Sequence, residues 1–190
     1  VSLLETYIDF YAGIWGSNVS GATHSISGNE LDYYGGFSGA VPFLEDYFSY
    51  DGGFLYYDYP GMTDQNTADG ARNVDFFEYY GSLSLAVPNP ITDIGVSYYY
   101  GFSPSGFQQD NYDYQNVSVE IAIPNTPFTI SGAAGFTGSE MEGGNSYTDY
   151  LASLSTSAFG LDLGIYYTTV DGYGADVDMD QVTFSVGKSF

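Results

Sequence analysis

Period-two alternation of apolar and polar residues, sustained over runs of about ten residues, constrains this chain more than any other feature of its sequence. In FGLDLGIYYTT, Leu161, Leu163, Ile165 and Tyr167 share one face, and Asp162, Gly164, Tyr166 and Thr168 share the other. NVSVEIAI sets Val117, Val119, Ile121 and Ile123 against Asn116, Ser118, Glu120 and Ala122. ITDIGVSYYY sets Ile94, Val96, Tyr98 and Tyr100 against Asp93, Gly95, Ser97 and Tyr99. No segment shows a helical period. The alternation predicts about ten strands, over residues 3–17, 30–39, 47–59, 74–86, 91–102, 112–123, 127–137, 147–157, 160–169 and 179–190. Strands of soluble proteins usually run about five or six residues, whereas a tilted membrane strand needs about 9–11. The runs fit the second figure.

The connections between runs alternate in length. NVSGATHSISGN, PGMTDQNTADGARN, SPSGFQQDN, GSEMEGGNS and VDGYGADVD are long; AVPFLED, VPNP, PNTP and SAF are short. Short turns on one rim and long loops on the other are the pattern of outer-membrane barrels. Aromatic residues cluster toward both ends of the runs. Tyr56, Tyr57, Tyr59, Phe76, Phe77, Tyr98, Tyr99, Tyr100, Tyr166 and Tyr167 lie by the long loops, and Phe43, Tyr47, Phe48, Phe128, Phe159 and Phe190 by the short turns. Two aromatic belts around an aliphatic band suit a bilayer with two interfaces.

Charge narrows the partners. The 190 residues hold 24 Asp and Glu against two basic residues, Arg72 and Lys188, for a formal net charge of -22. Phosphate neutralisation needs Lys and Arg, so nucleic acid is excluded as a partner. A hydrophobic content of 44% argues against disorder from low hydrophobicity. Cysteine is absent, which removes disulfides and thiolate metal sites. No apolar run is long enough for a transmembrane helix, and the opening residues, without a basic n-region, predict no signal peptide there.

Parity assigns the acids a face. Glu5, Asp9, Asp32, Asp51, Asp75, Glu78, Asp93, Glu120, Asp149 and Asp162 are all expected opposite the aliphatic face, as pore-lining groups. Tyr57, Tyr80 and Tyr99 are expected beside them, with Tyr7, Tyr11 and Tyr34. A carboxylate facing lipid would be costly. The resulting expectation is an all-β, transmembrane, antiparallel up-and-down β-barrel, a single domain over residues 1–190, in a bacterial outer membrane. The competing arrangement is a soluble sandwich or barrel with the acids outside and the aliphatics inside.

The stretches FYAGIWGSNV (Phe10–Val19), LDYYGGFSG (Leu31–Gly39) and FSYDGGFLYYDYPG (Phe48–Gly61) resemble the TorF-type porins, bacterial outer-membrane proteins of about this size. The ending VTFSVGKSF is also similar to that family's. The resemblance covers most of the chain and implies a porin-like barrel of about twelve strands. That family carries an additional N-terminal segment, rich in Arg and Asp, that has no counterpart before Val1. The final strand also resembles the outer-membrane assembly signal, which implies that Phe184, Val186 and Phe190 face lipid and address the chain to the barrel assembly machinery. Lys188 shares their parity and can snorkel to the headgroups.

Catalytic chemistry finds little footing. His24, the one histidine, lies among Ser20, Ser25 and Ser27 in a Gly/Ser-rich loop. A nucleophilic triad needs a base held by a third group, so no enzyme is expected. Zinc sites need more His or Cys. Asp171, Asp176 and Asp178 offer oxygens for a loop-bound Ca²⁺ or Mg²⁺, but no loop matches the spaced calcium-loop pattern. No other cofactor is expected. The NVS triplets at Asn18 and Asn116 are chance matches to a glycosylation pattern in a bacterial chain.

Two functions suit these readings. In the first, small solutes diffuse passively, with a cation preference set by an acidic, Tyr-lined lumen. In the second, the same side chains fill the lumen and the barrel is a non-conducting structural or surface-interaction protein. The partners expected are outer-membrane lipid, the assembly machinery and small solutes or cations; an oligomer is compatible with both.

Overall fold

The computed structural model describes residues 8–20, 27–60, 63–64, 72–73, 75–104, 111–139, 146–172 and 180–188. Twelve strands form in chain order: β1 (Ile8–Ser20), β2 (Ser27–Ala40), β3 (Phe48–Asp58), β4 (Thr63–Asp64), β5 (Arg72–Asn73), β6 (Phe76–Val87), β7 (Ile94–Ser103), β8 (Tyr112–Ala122), β9 (Phe128–Ser139), β10 (Tyr147–Ala158), β11 (Leu161–Asp171) and β12 (Gln181–Gly187). Ten of them make one antiparallel up-and-down sheet in the order β1-β2-β3-β6-β7-β8-β9-β10-β11-β12. β4 and β5 pair only with each other, in the long connection after β3. The described residues contain no helix. β1 and β12 are the two edges of the sheet, so closure into a barrel is not present among the described residues.

The strand count matches the alternation. Several strand ends differ by two or three residues. The first strand, expected to end at residue 17, runs on to Ser20, pairing Asn18 with Asn29, Val19 with Gly28 and Ser20 with Ser27. Ladder hydrogen bonds come from the backbone, so a hairpin can continue where both faces have turned polar and periodicity falls silent.

Antiparallel pairing keeps each face continuous from strand to strand. One register row runs Val87, Ile94, Ile121, Ile130, Leu154, Ile165 and Phe184, apolar across seven strands. This face points outward: Phe10 is 82% exposed and Phe184 74%. Its only carboxylates within the sheet, Asp58, Asp113 and Asp171, stand near the long-connection ends of β3, β8 and β11. The opposite face is inner, because its side chains converge. The hydroxyl of Tyr11 on β1 meets that of Tyr80 on β6. Three ladder steps, about 14 Å, separate those strands in a flat sheet. Two side chains close that gap only if the sheet curls toward this face.

Burial is inverted relative to a soluble domain. Among the described residues, Phe76 is the one buried hydrophobic side chain, whereas Asp32, Glu78 and Ser103 are buried polar ones. The sandwich alternative requires two sheets with aliphatics between them; the aliphatics here line the outside of a single sheet. The neighbouring aromatics also divide between the faces. Tyr56 and Phe77 pair outward at 4.6 Å, while Tyr57 and Phe76 stack inward at 4.5 Å. The same split separates Tyr99 from Tyr98 and Tyr100, and Tyr166 from Tyr167, so half of the expected long-loop belt lies inside.

Toward the short turns the inner face becomes small and hydroxylated. Ser49, Ser84, Ser97 and Ser118 occupy one register row. Ser84 Oγ and Ser97 Oγ stand 2.8 Å apart, and Ser131 Oγ and Ser153 Oγ 2.5 Å. The register is directly checkable. Oxidising the S131C/S153C double variant is expected to form an intramolecular disulfide, seen as a mobility shift on a non-reducing denaturing gel. S131C/L154C, whose second thiol faces the other way, is expected to stay reduced.

Candidate functional site

Above the serine rows, tyrosines and carboxylates interlock. The chemistry begins with a register row reading Tyr11, Gly36, Gly53, Tyr80, Gly101, Tyr114, Thr137 and Tyr147 from β1 to β10. Where a strand presents glycine, a neighbour's phenol can lie flat across its backbone and reach a carboxylate one strand further on. Tyr11 crosses β2 at Gly36 and donates to Asp51 Oδ1 of β3 at 2.6 Å. Tyr112 of β8 donates to Glu78 Oε2 of β6 at 2.7 Å, over β7, where a Cβ on Gly101 would come within 2.9 Å of Glu78 Oε1. Tyr114 of β8 crosses β9 at Gly135 and donates to Asp149 Oδ1 of β10 at 3.2 Å. Tyr80 lies over Gly53, whose Cβ would meet its hydroxyl at 2.7 Å.

Glu78 is the centre of this network. It is only 6% exposed, and each carboxylate oxygen accepts a phenol proton: Oε1 from Tyr99 at 2.7 Å and Oε2 from Tyr112 at 2.7 Å. A hydrogen bond to a charged group is worth about 1.5–3 kcal/mol, and more is lost when a buried charge is left unpaired. No Lys or Arg occupies an inward position of the ten strands. The phenols therefore do the work that a cation does elsewhere. Tyr80 stacks on Tyr99 at 5.7 Å, and Tyr57 on Phe76. The phenols and Glu78 wall a cavity of about 670 Å³, lined by side chains from β3 round to β10.

The expected lining residues separate into groups. Asp32, Asp51, Glu78 and Asp149 stand in the tyrosine-rich half, and Tyr57, Tyr80 and Tyr99 line its cavities. Asp9, Glu120 and Asp162 face inward too, but are exposed toward the short-turn end; Asp162 accepts from Ser157 Oγ at 2.6 Å. One acid departs from expectation. Asp75 precedes β6 and binds on the outward side, accepting from the Tyr56 hydroxyl at 3.3 Å and the Tyr59 backbone at 2.8 Å. Its number is odd and that of Glu78 even, so one strand face could not hold both. Asp93, just before β7 and with the parity of that strand's inward residues, accepts from the Ala122 amide through its carbonyl at 3.0 Å. Glu5, Tyr7, His24, Asp176, Asp178 and Phe190 lie outside the described residues. Asp171 ends β11, and among the described residues no group of three His, Asp or Glu could hold a metal. Phe184 and Val186 face outward in register with Ile165 and Leu163.

The sequence reading missed Glu30, Tyr112, Tyr114 and Tyr147. Parity reaches all four: Glu30 shares its face with Asp32, Tyr112 and Tyr114 with Glu120, and Tyr147 with Asp149. What parity lacks is the glycine on the intervening strand, which decides whether a phenol can reach across. At the short-turn rim, Glu45 Oε1 accepts from the Phe43 amide at 2.9 Å, and backbone amides hold its carboxyl below the usual range.

The chain belongs to the bacterial family Gcw_chp, a family of unknown function whose model matches residues 6–190. No curated protein and no solved structure matches it.

The glycine crossings yield a stability test. A Cβ at Gly36 would meet the carbonyl oxygen of Gly52 at 2.6 Å as well as the Tyr11 ring. Gly36→Val is expected to destabilise the fold by about 1–3 kcal/mol, read as a lowered urea midpoint in detergent micelles. Gly95 meets nothing within 4 Å, so Gly95→Ala is expected to stay within about 0.5 kcal/mol.

Proposed function

We propose that this Gcw_chp chain is a porin-like outer-membrane barrel that passes small solutes, cations in preference to anions, through a narrow acidic lumen walled by tyrosine. The observation that carries this reading is the division of the sheet: an apolar outward face, and a curled inner face that holds carboxylates and no cation. Backbone groups in a bilayer have no partner but one another, so a spanning sheet must close on itself. On this reading β12 pairs with β1 to complete the barrel.

The short-turn rim supports the same placement. Phe43 and Phe159 hold left-handed backbone angles, φ 69 and φ 57, and both rings are exposed. A bulky residue in that region is strained by about 1–2 kcal/mol. An apolar environment at that rim gives the strained phenylalanines something to bury into. The resemblance to TorF-type porins agrees with this placement.

Fixed negative charge along a constriction raises the local concentration of cations and lowers that of anions. The tyrosines narrow the passage, so unit conductance is expected to be small. A second reading has a specific observation in its favour: the linked hydroxyls of Tyr11 and Tyr80 span from β1 to β6 and could close the lumen altogether. Planar-bilayer recording under a KCl gradient separates the two. Cation-selective steps are expected, with selectivity reduced in Glu78→Gln. Anion selectivity, or the absence of steps from a correctly folded chain, would contradict the channel reading.

A further inference from the structure

The cavity beside Glu78 is walled by rings. Six of its nine lining residues are aromatic, and Glu78, Asn116 and Thr137 are the others. Its volume, about 670 Å³, lies within the range of small-molecule sites. The tyrosines along it are half-buried, so part of each stays open to whatever enters from the inner face.

The hydrogen bonds decide what such a wall can offer. A phenol has one proton to give. Tyr99 and Tyr112 give theirs to Glu78, and Tyr114 gives its own to Asp149. Asn116 Nδ2 in turn donates to the Tyr114 oxygen at 3.1 Å. What the three phenol oxygens have left is lone pairs. The wall is therefore poor in donors and rich in acceptors, set between apolar ring faces. A second cavity, of about 500 Å³, repeats the arrangement with Tyr11, Tyr34, Tyr80, Tyr99, Asp51 and Leu55. Tyr11 gives its proton to Asp51, so the bond between Tyr11 and Tyr80 uses the proton of Tyr80. Tyr99 belongs to both walls and stacks on Tyr80 at 5.7 Å.

We infer that the two cavities are adjoining subsites for a neutral sugar, one ring in each. The site depends on the inner face being a water-accessible lumen, as proposed above. A sugar ring carries hydroxyl donors round its edge, which match the phenol oxygens, and C–H groups on its faces, which match the aromatic rings. Anions are repelled by Glu78, Asp51 and Asp149. A cation finds the charge of Glu78 but not the contact, because that carboxylate is 6% exposed and phenol protons cap both of its oxygens. A linear polyol has the donors without the ring face.

The full chain, folded in detergent micelles, is titrated by calorimetry with maltose, cellobiose and trehalose. Glucose, sorbitol and tetraethylammonium chloride are titrated in parallel. Saturable, millimolar binding of at least one disaccharide is expected, since a passage site must also release its solute. Glucose, which fills one subsite, is expected to bind more weakly, and sorbitol not measurably. The disaccharide affinity is expected to be the same in about 0.05 M and about 0.5 M KCl, because the ligand carries no charge to screen. Tyr99→Leu and Tyr57→Leu are each expected to weaken it about tenfold. Tyr79→Leu, which removes an exposed ring from the outward face of β6, is expected to leave it unchanged. Retained heat-modifiable gel mobility identifies the variants that are folded, and either lining variant alone suffices for the test. Failure of all three disaccharides to saturate, equal affinity for sorbitol, tighter binding of tetraethylammonium, or wild-type affinity in a folded Tyr99→Leu or Tyr57→Leu chain would overturn the site. Cation-selective conductance without sugar binding would remove this site and leave the channel. Sugar binding in a chain that gives no conductance would do the reverse.

Discussion

A carboxylate taken out of bulk water must be neutralised, paired or surrounded by donors, and the inner face of this sheet has no Lys or Arg with which to pair it. Its answer is the phenol. Tyr99 and Tyr112 close both oxygens of Glu78, Tyr11 reaches Asp51, and Tyr114 reaches Asp149. The reaches of Tyr11 and Tyr114 each depend on a glycine beneath the ring, Gly53 lies under Tyr80, and Gly101 leaves room for the Glu78 carboxylate and the edge of Tyr99. That requirement explains why Gly36, Gly53, Gly101 and Gly135 sit in strand interiors, where glycine otherwise weakens a sheet. It also fixes the register, since a one-residue slip would put side chains under the rings and turn the acids outward.

Much of this was legible in the sequence. Alternation located ten strands because each face has a single character over most of its length, and parity placed Asp9, Asp32, Asp51, Glu78, Glu120, Asp149 and Asp162 on the inner face. It failed at Asp75, which precedes β6 and has the parity of that strand's outward face. It failed again in runs such as Tyr98–Tyr99–Tyr100, where composition is uniform and only the register tells a belt residue from a lining one. The cross-strand contacts were beyond reach altogether. They need three strands aligned at once, and a single sequence gives only one strand at a time.

The apolar outward face and the phenol-lined inner face draw their function from the same separation. A surface with Val87, Ile94, Ile121, Ile130, Leu154, Ile165 and Phe184 in one row is costly in water. An inner face with carboxylates and no basic side chain sets up a negative potential along whatever passes it. Serine rows occupy the inner face toward the short turns, and the tyrosine level stands above them.

The central claim is that the aliphatic face contacts lipid and the acidic face contacts water. A nitroxide scan along β10, from Tyr147 to Ala158, in lipid vesicles tests it most directly. Collision with dissolved oxygen, which partitions into lipid, is predicted to peak at Tyr150, Ala152 and Leu154. Collision with a water-soluble nickel chelate is predicted to peak at Asp149, Leu151 and Ser153. Loss of the two-residue alternation, or its inversion with the nickel chelate reaching Leu154 and not Ser153, would contradict the account.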